Sequence, residues 1–171
     1  MRIEQRQPTQ QLGLDDDLLD RVFAARGISD PSQLERGLVN LLSPADLPEI
    51  DIAAARLADA VEQNQKILIV GDFDADGATS VALCLLALRA MGAVNVDFLV
   101  PNRFDYGYGL SPEIVQLAAT LAPNVIVTVD NGVASVDGVA LANEAGIDVV
   151  VTDHHLPGDV LPDAHALVNP N

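Results

Sequence analysis

Ile67-Leu-Ile-Val70-Gly71-Asp72-Phe-Asp74-Ala-Asp76-Gly77-Ala-Thr79-Ser80 is the stretch that decides the fold. Its first four residues are all apolar, a run of strand length and too short for a core helix. Being apolar on both alternations, such a strand belongs in a sheet covered on both faces, the habit of parallel sheets. A glycine follows, and then three aspartates within five residues. Carboxylates this close repel, and they tolerate one another best around a cation or at a helix N-terminus. Gly77 relieves the turn, and Thr79 or Ser80 is placed to cap a helix over Val81–Met91 that ends at Gly92.

Outward from this stretch the pattern repeats. Val94–Val100 reads as a strand stopped by Pro101, and Ser111-Pro112-Glu113 opens a helix with Pro in its first turn. Val125–Val129 is a strand, Ala134–Ala145 a helix, Asp148–Thr152 a fourth strand and Ala166–Val168 a fifth. The alternation predicts an α/β, doubly wound parallel sheet of Rossmann-like type over residues 66–171. Residues 1–65 read as a helical lead-in. Leu18, Leu19, Val22 and Phe23 fall at helical spacing before a stop at Gly27. Ser29-Asp30-Pro31 restarts a helix with Leu34, Leu38, Leu41 and Leu42 on one side. Ser43-Pro44 and Leu47-Pro48 mark a loop, and Ile52–Gln65 is an Ala-rich helix.

In doubly wound sheets ligands bind beyond the carboxyl ends of the strands. Three such ends carry the same chemistry: residues 71–77, Asp130-Asn131-Gly132, and Asp153-His154-His155. Parallel strands would bring all three to one sheet edge. Imidazole with carboxylate suits Mn²⁺, Zn²⁺ or Fe²⁺, whereas carboxylate alone suits Mg²⁺. The plainer readings are an acidic helix start, an Asp-Asn-Gly turn and a surface histidine pair. Asp72-x-Asp74-x-Asp76-Gly77 also opens like a calcium loop, but the twelfth position is Leu83 where a bidentate Glu is needed. A haloacid-dehalogenase-type phosphatase signature is the weaker runner-up, because Ala78 stands between Gly77 and Thr79 and that signature does not call for a His-His pair after a later strand. His165, in a Pro-Asp-Ala-His stretch, reads as a loop bystander.

Composition sets the outer bounds. The 171 residues are 49% apolar, which favours a folded core over disorder. No apolar run reaches the ~18 residues of a membrane span, and the N-terminal MRIEQRQPTQ has no signal-peptide core. A single cysteine, Cys84, fits a reducing cytoplasm. The formal charge is −16, with Lys66 the one lysine, which argues against a broad basic surface for nucleic acid without excluding a nuclease. An acidic, solvated surface is the plain reading, but metal-binding carboxylates enter the same sum. Basic surface for any DNA partner would have to come from elsewhere.

The runs Val70-GDFDADGATS-Val81, Leu99-VPNRFDYGYGLSPE-Ile114, Ile126-VTVDNG-Val133 and Val149-VVTDHHLPGD-Val160, ending in Val168-NPN, resemble the DHH phosphoesterase superfamily. The likeness is greatest to its single-strand-specific 5′→3′ DNA exonuclease branch and runs from about residue 20 onward. It implies a two-metal phosphodiesterase using Mn²⁺ or Mg²⁺, with Asp74, Asp76, Asp130 and His154 as metal ligands and Asp130 as the bridge. It implies that His155 contacts the substrate phosphate and that Asp153 orients a histidine, with Asp72 and Asn131 supporting the ligands from behind. Some superfamily members carry a His four residues before the first ligand; here Val70 stands there, so one metal site is expected to be weaker or differently completed. Arg103 is placed to fork onto a phosphate, with Tyr106 and Tyr108 stacking on bases; the bland reading is a flexible loop with an Arg103–Asp105 pair.

The implied role is DNA repair and recombination in the cytoplasm, with single-stranded DNA engaged through the full-length protein. A single-strand-binding protein or a helicase is the implied partner, and no membrane. Enzymes of this branch carry a further metal-binding Asp motif and more domains, so the expectation is a domain with an incomplete site, inert alone. The rival readings are another DHH activity (nanoRNase, cyclic-dinucleotide phosphodiesterase or pyrophosphatase) and a non-catalytic metal- or partner-binding module.

Overall fold

The structure is a computed structural model, and it describes residues 7–8, 10–37 and 40–171, the side chain of Arg103 excepted. The chain divides into two compact units, residues 1–42 and 43–171.

In the first unit, α1 (Asp17–Ala24) starts at Asp16, whose carboxylate accepts from the N–H groups of Leu18 and Leu19. Asp20, within that helix, reaches back to accept from Leu12 N (3.0 Å) and Leu14 N (3.0 Å). The helix foreseen after Ser29-Asp30-Pro31 is only a 3-10 turn, Pro31–Leu34. Asp30 and Gln33 close a capping box around it, and Glu35 turns extended. Leu41 and Leu42 are exposed, so there is no common apolar face to carry a longer helix. Leu38 lies outside the described residues.

The second unit is a five-stranded, wholly parallel sheet in the order β2-β1-β3-β4-β5. The strands are β1 (Ile67–Gly71), β2 (Val96–Leu99), β3 (Val125–Val129), β4 (Asp148–Thr152) and β5 (Ala166–Val168). Every residue of β1 and β3 is buried. Alternate side chains go to opposite faces. Ile67, Ile69, Val127 and Val150 pack with Ala53, Ala60, Val81 and Leu88, from α2 (Ile50–Glu62) and α3 (Ala75–Ala90). Leu68, Val70, Ile126 and Val151 pack with Ile114, Val115, Val139 and Ala142, from α5 (Pro112–Ala119) and α6 (Val136–Glu144). Each fully buried Val or Ile contributes about 1.5–3 kcal/mol, against about 0–1 for an exposed ion pair. The apolar alternation therefore fixes the sheet, and the part-buried pair of Arg56 Nε and Asp148 Oδ2 (2.6 Å) ties α2 to the start of β4.

Two helix boundaries differ from expectation. α2 runs Ile50–Glu62 where Ile52–Gln65 was foreseen, and it packs on the sheet through Ala53 and Ala60. α3 begins at Ala75, six residues earlier than foreseen, because Asp74 is its N-cap and accepts from the N–H groups of Asp76 and Gly77. Thr79 does not cap; its hydroxyl bonds back to the Ala75 carbonyl inside the helix. A single helical turn, α4 (Arg103–Tyr106), interrupts the loop after β2. Among the described residues no helix is long and apolar enough to cross a membrane.

Candidate metal centre

The chain runs from β1 out to β2 and then back across to β3 on the other side of β1. The winding reverses there, and the crevice of a doubly wound sheet opens between β1 and β3. Asp72 follows β1 and Asp130 follows β3, so the two flank the reversal. The loop after β4, Asp153-His154-His155, stands beside Asp130. All three loops foreseen for one edge are together.

Two groups of ligand-type atoms form here, each with its members within 4.8 Å of one another: Asp72, Asp74 and Asp130; and Asp130, His154 and His155. Asp130 is common to both. Its backbone takes the left-handed conformation (φ 62°), which Asp and Asn tolerate better than other non-glycine residues. Gly132 (φ 116°) completes the turn, and a Cβ there would stand 2.5 Å from Thr128 Oγ1. This tight turn holds the Asp130 carboxylate 8% exposed at the mouth of the crevice. Burial, and then the charge of Asp74, push the Asp130 carboxyl above the ordinary aspartate range, opposed by the hydrogen bond from His154. His154 Nε2 lies 2.9 Å from Asp130 Oδ1.

Asp153 is buried and pins its own loop. Burial alone would raise its pKa, but Val133 N, the His155 ring and the backbone N–H groups of His155 and His154 all donate to it and hold it low. His155 Nδ1 meets Asp153 Oδ1 at 2.7 Å, and this contact raises the His155 pKa. Tyr108 brings its hydroxyl to 3.1 Å from His155 Nδ1 and donates to the Asp130 carbonyl (3.2 Å). Its ring meets the His155 ring edge-on at 5.6 Å.

The remaining foreseen residues divide. Asp72, foreseen as a support, stands among the clustered carboxylates. Asp76 is exposed and lies outside both groups, but lines a cleft of about 550 Å³ with Thr79, Ser80, Leu83, Asp130 and His154. Asn131 is buried, and its amide donates to the carbonyls of Val70 (3.1 Å) and Val129 (2.9 Å), tying the ends of β1 and β3. Tyr106 is partly exposed in α4, and the Arg103 side chain lies outside the described residues. His165 is at the other end of β4, 4.0 Å from Asp148. Two residues with no foreseen role stand behind the loop: Asn169 Nδ2 donates to the His155 carbonyl (2.9 Å) and Asn171 Nδ2 to that of His154 (2.7 Å). They lie in the Val168-NPN run, which entered the sequence reading only as part of the family resemblance and with no role for either Asn.

The donor set fits a divalent metal. Crowded carboxylates and an imidazole converge, and the Asp130 carboxyl is raised first by burial and then by the like charge of Asp74. Residues 66–171 match the DHH family, N-terminal domain. The chain is 53% identical over 154 residues to the single-stranded-DNA-specific exonuclease RecJ of Salmonella typhimurium, covering 90% of this chain and 27% of the relative. The RecJ of Dickeya dadantii is 54% identical over 169 residues, covering 97% and 29%. Thus the chain spans little more than a quarter of the length of these relatives. Among solved structures, exonuclease RecJ bound to manganese superposes with a TM-score of 0.69 at 36% identity, covering 76% of this chain and 33% of that one. RecJ from Thermus thermophilus in complex with Mn²⁺ gives 0.66 at 32% identity, covering 86% and 20%.

Proposed function

Because this chain belongs to the DHH family, we propose that it is the metal-binding catalytic core of a RecJ-type exonuclease, which hydrolyses single-stranded DNA from the 5′ end in the cytoplasm. We assign residues 66–171 as the catalytic domain, with residues 1–65 leading into it and α2 folded onto its sheet. The observation that carries the reading is Asp130, shared by both ligand groups at the reversal point of the sheet.

Asp72, Asp74, Asp130 and His154 would hold Mn²⁺ or Mg²⁺, with Asp130 as the bridge and Asp76 reaching in from the cleft wall. When bound, a pair of such ions activates a water and stabilises both the attacking and the leaving oxygens of a phosphodiester. The protein's own work is to keep the ligands in place. Asp153 orients His155 through Nδ1, leaving Nε2 for the substrate phosphate. Asn131 locks the strands that carry Asp72 and Asp130. Tyr108 fixes the loop after β2 against His155, and that loop offers Arg103 to a phosphate and Tyr106 to a base. A chain of −16 formal charge supplies little attraction for DNA. We therefore assign the basic surface to other parts of the relatives' length, along with contacts to a single-strand-binding protein or a helicase.

The test uses a protein as long as the relatives and carrying this domain. Mn²⁺-dependent release of nucleotides from 5′-labelled single strands should fall about 100-fold or more in His155→Ala, the scale of losing one preorganised transition-state donor, while Mn²⁺ uptake persists. A protein that leaves single strands intact but cleaves cyclic dinucleotides or pyrophosphate is a DHH enzyme of another kind. One that binds Mn²⁺ and cleaves nothing is a binding module.

A further inference from the structure

His154 and His155 are exposed, yet their loop is fastened at its back. Asn169 is 2% exposed and follows directly on the last pair of the sheet, Thr152↔Val168. Its Oδ1 accepts from the N–H of Asn171 (2.9 Å), two residues on, which is the closed ring of an Asx-turn. Pro170 between them fixes its own φ and holds Asn169 extended. With the oxygen so engaged, the amide nitrogen can point only away from the turn, and it donates to the His155 carbonyl. Asn171 adds a second donor, to the His154 carbonyl. On the β5 side Asp153 N also donates to the Val168 carbonyl (3.1 Å), and on the opposite side Asp153 Oδ2 accepts from Val133 N (2.9 Å). The histidine loop is thus held between the turn after β3 and the turn after β5.

We propose that Asn169 and Asn171 are positioning residues that set the His154–His155 backbone, so that β5 contributes to metal affinity without supplying a ligand. The proposal rests on the metal reading above. A buried amide that donates to one carbonyl and accepts from one backbone N–H at a strand end contributes no packing that a Leu or Val would not supply better. What it adds is a fixed direction for the next loop. Partners behind metal ligands typically change affinity by ~10–100-fold when removed.

Two readouts on this chain test it. In the metal-free protein, amide exchange at His154 and His155, both of which donate to Asp153 Oδ1, should quicken in Asn169→Ala and in Asn171→Ala. The amides of β1 and β3 should keep their protection. Titration with Mn²⁺, followed by the loss of its free-ion electron paramagnetic resonance signal, should show binding about 10-fold weaker in Asn169→Ala and a smaller loss in Asn171→Ala. Unchanged exchange and unchanged affinity in both variants would overturn the proposal. If Asn169→Ala loosens the whole sheet, the exposed Asn171 decides alone, since its truncation leaves no cavity. A wild-type chain that takes up no Mn²⁺ counts against the metal reading, and the exchange result still decides the clamp.

Discussion

Asp20 and Asp130 are buried to nearly the same degree, 7% and 8% exposed, and their carboxyl groups are driven in opposite directions. Asp20 accepts from the backbone N–H groups of Leu12 and Leu14, and these hold its carboxyl below the ordinary range. Asp130 faces Asp72 and Asp74, and burial together with the Asp74 charge pushes it up. Burial by itself therefore says little about an aspartate. What decides is the balance: at Asp20 backbone donors outweigh burial, whereas at Asp130 burial and the Asp74 charge outweigh the hydrogen bond from His154. The first arrangement stabilises the fold, and the second leaves a poorly solvated charge, the property that the proposed metal site would use.

The sharpest attempt to break this contrast is Asp130→Asn. Asn tolerates the left-handed backbone and keeps the hydrogen bond to His154, so only the charge is lost. Mn²⁺ affinity should fall more than about 100-fold by calorimetry, beyond the range for an outer partner. The metal-free chain should melt at the same temperature or higher, since a repulsive, poorly solvated charge has gone. A lowered melting temperature would mean that the carboxylate serves the fold, as Asp20 does. Next in size is Gly132→Ala, which forces a φ of 116° and crowds Thr128. It should destabilise the sheet unit by about 1–3 kcal/mol in urea unfolding and weaken Mn²⁺ binding by displacing Asp130. Loss of binding without loss of stability would place the strain elsewhere.

The smallest effect concerns Asp20. Its folded pKa lies below the ordinary value near 3.8, so its contribution is complete above that value and is lost as pH falls through the depressed one. Acidification should therefore quicken amide exchange at Leu12 and Leu14 in a step below pH 3.8 that Asp20→Asn abolishes. The same step in the variant would assign the acid sensitivity to another carboxylate.

Much of this was legible in the sequence because it is local. A strand buried on both faces has only one apolar pattern, and β1, β3 and β4 stand where their runs rich in Val, Ile and Leu put them. The loop after each could be read for the same reason. The start of α3 was misplaced because Asp74 carries two signals at once, a helix cap and a cluster carboxylate, and spacing does not rank them. The stretch after Pro31 looked helical from its leucines, but periodicity does not tell whether a face will find something to pack against, and Leu41 and Leu42 found nothing.

The sequence by itself determined the α/β class, the parallel sheet and the three loops rich in Asp and His. These follow from the chemistry of neighbours along the chain. Only the tertiary structure decided that Asp72, rather than Asp76, joins Asp74 and Asp130, that Tyr108 reaches His155, and that Asn169 and Asn171 hold the histidine loop. Each of these depends on distances between segments from fourteen to more than fifty residues apart. Strand order and register set those distances, and a pattern along one segment carries no information about which strand will lie beside it.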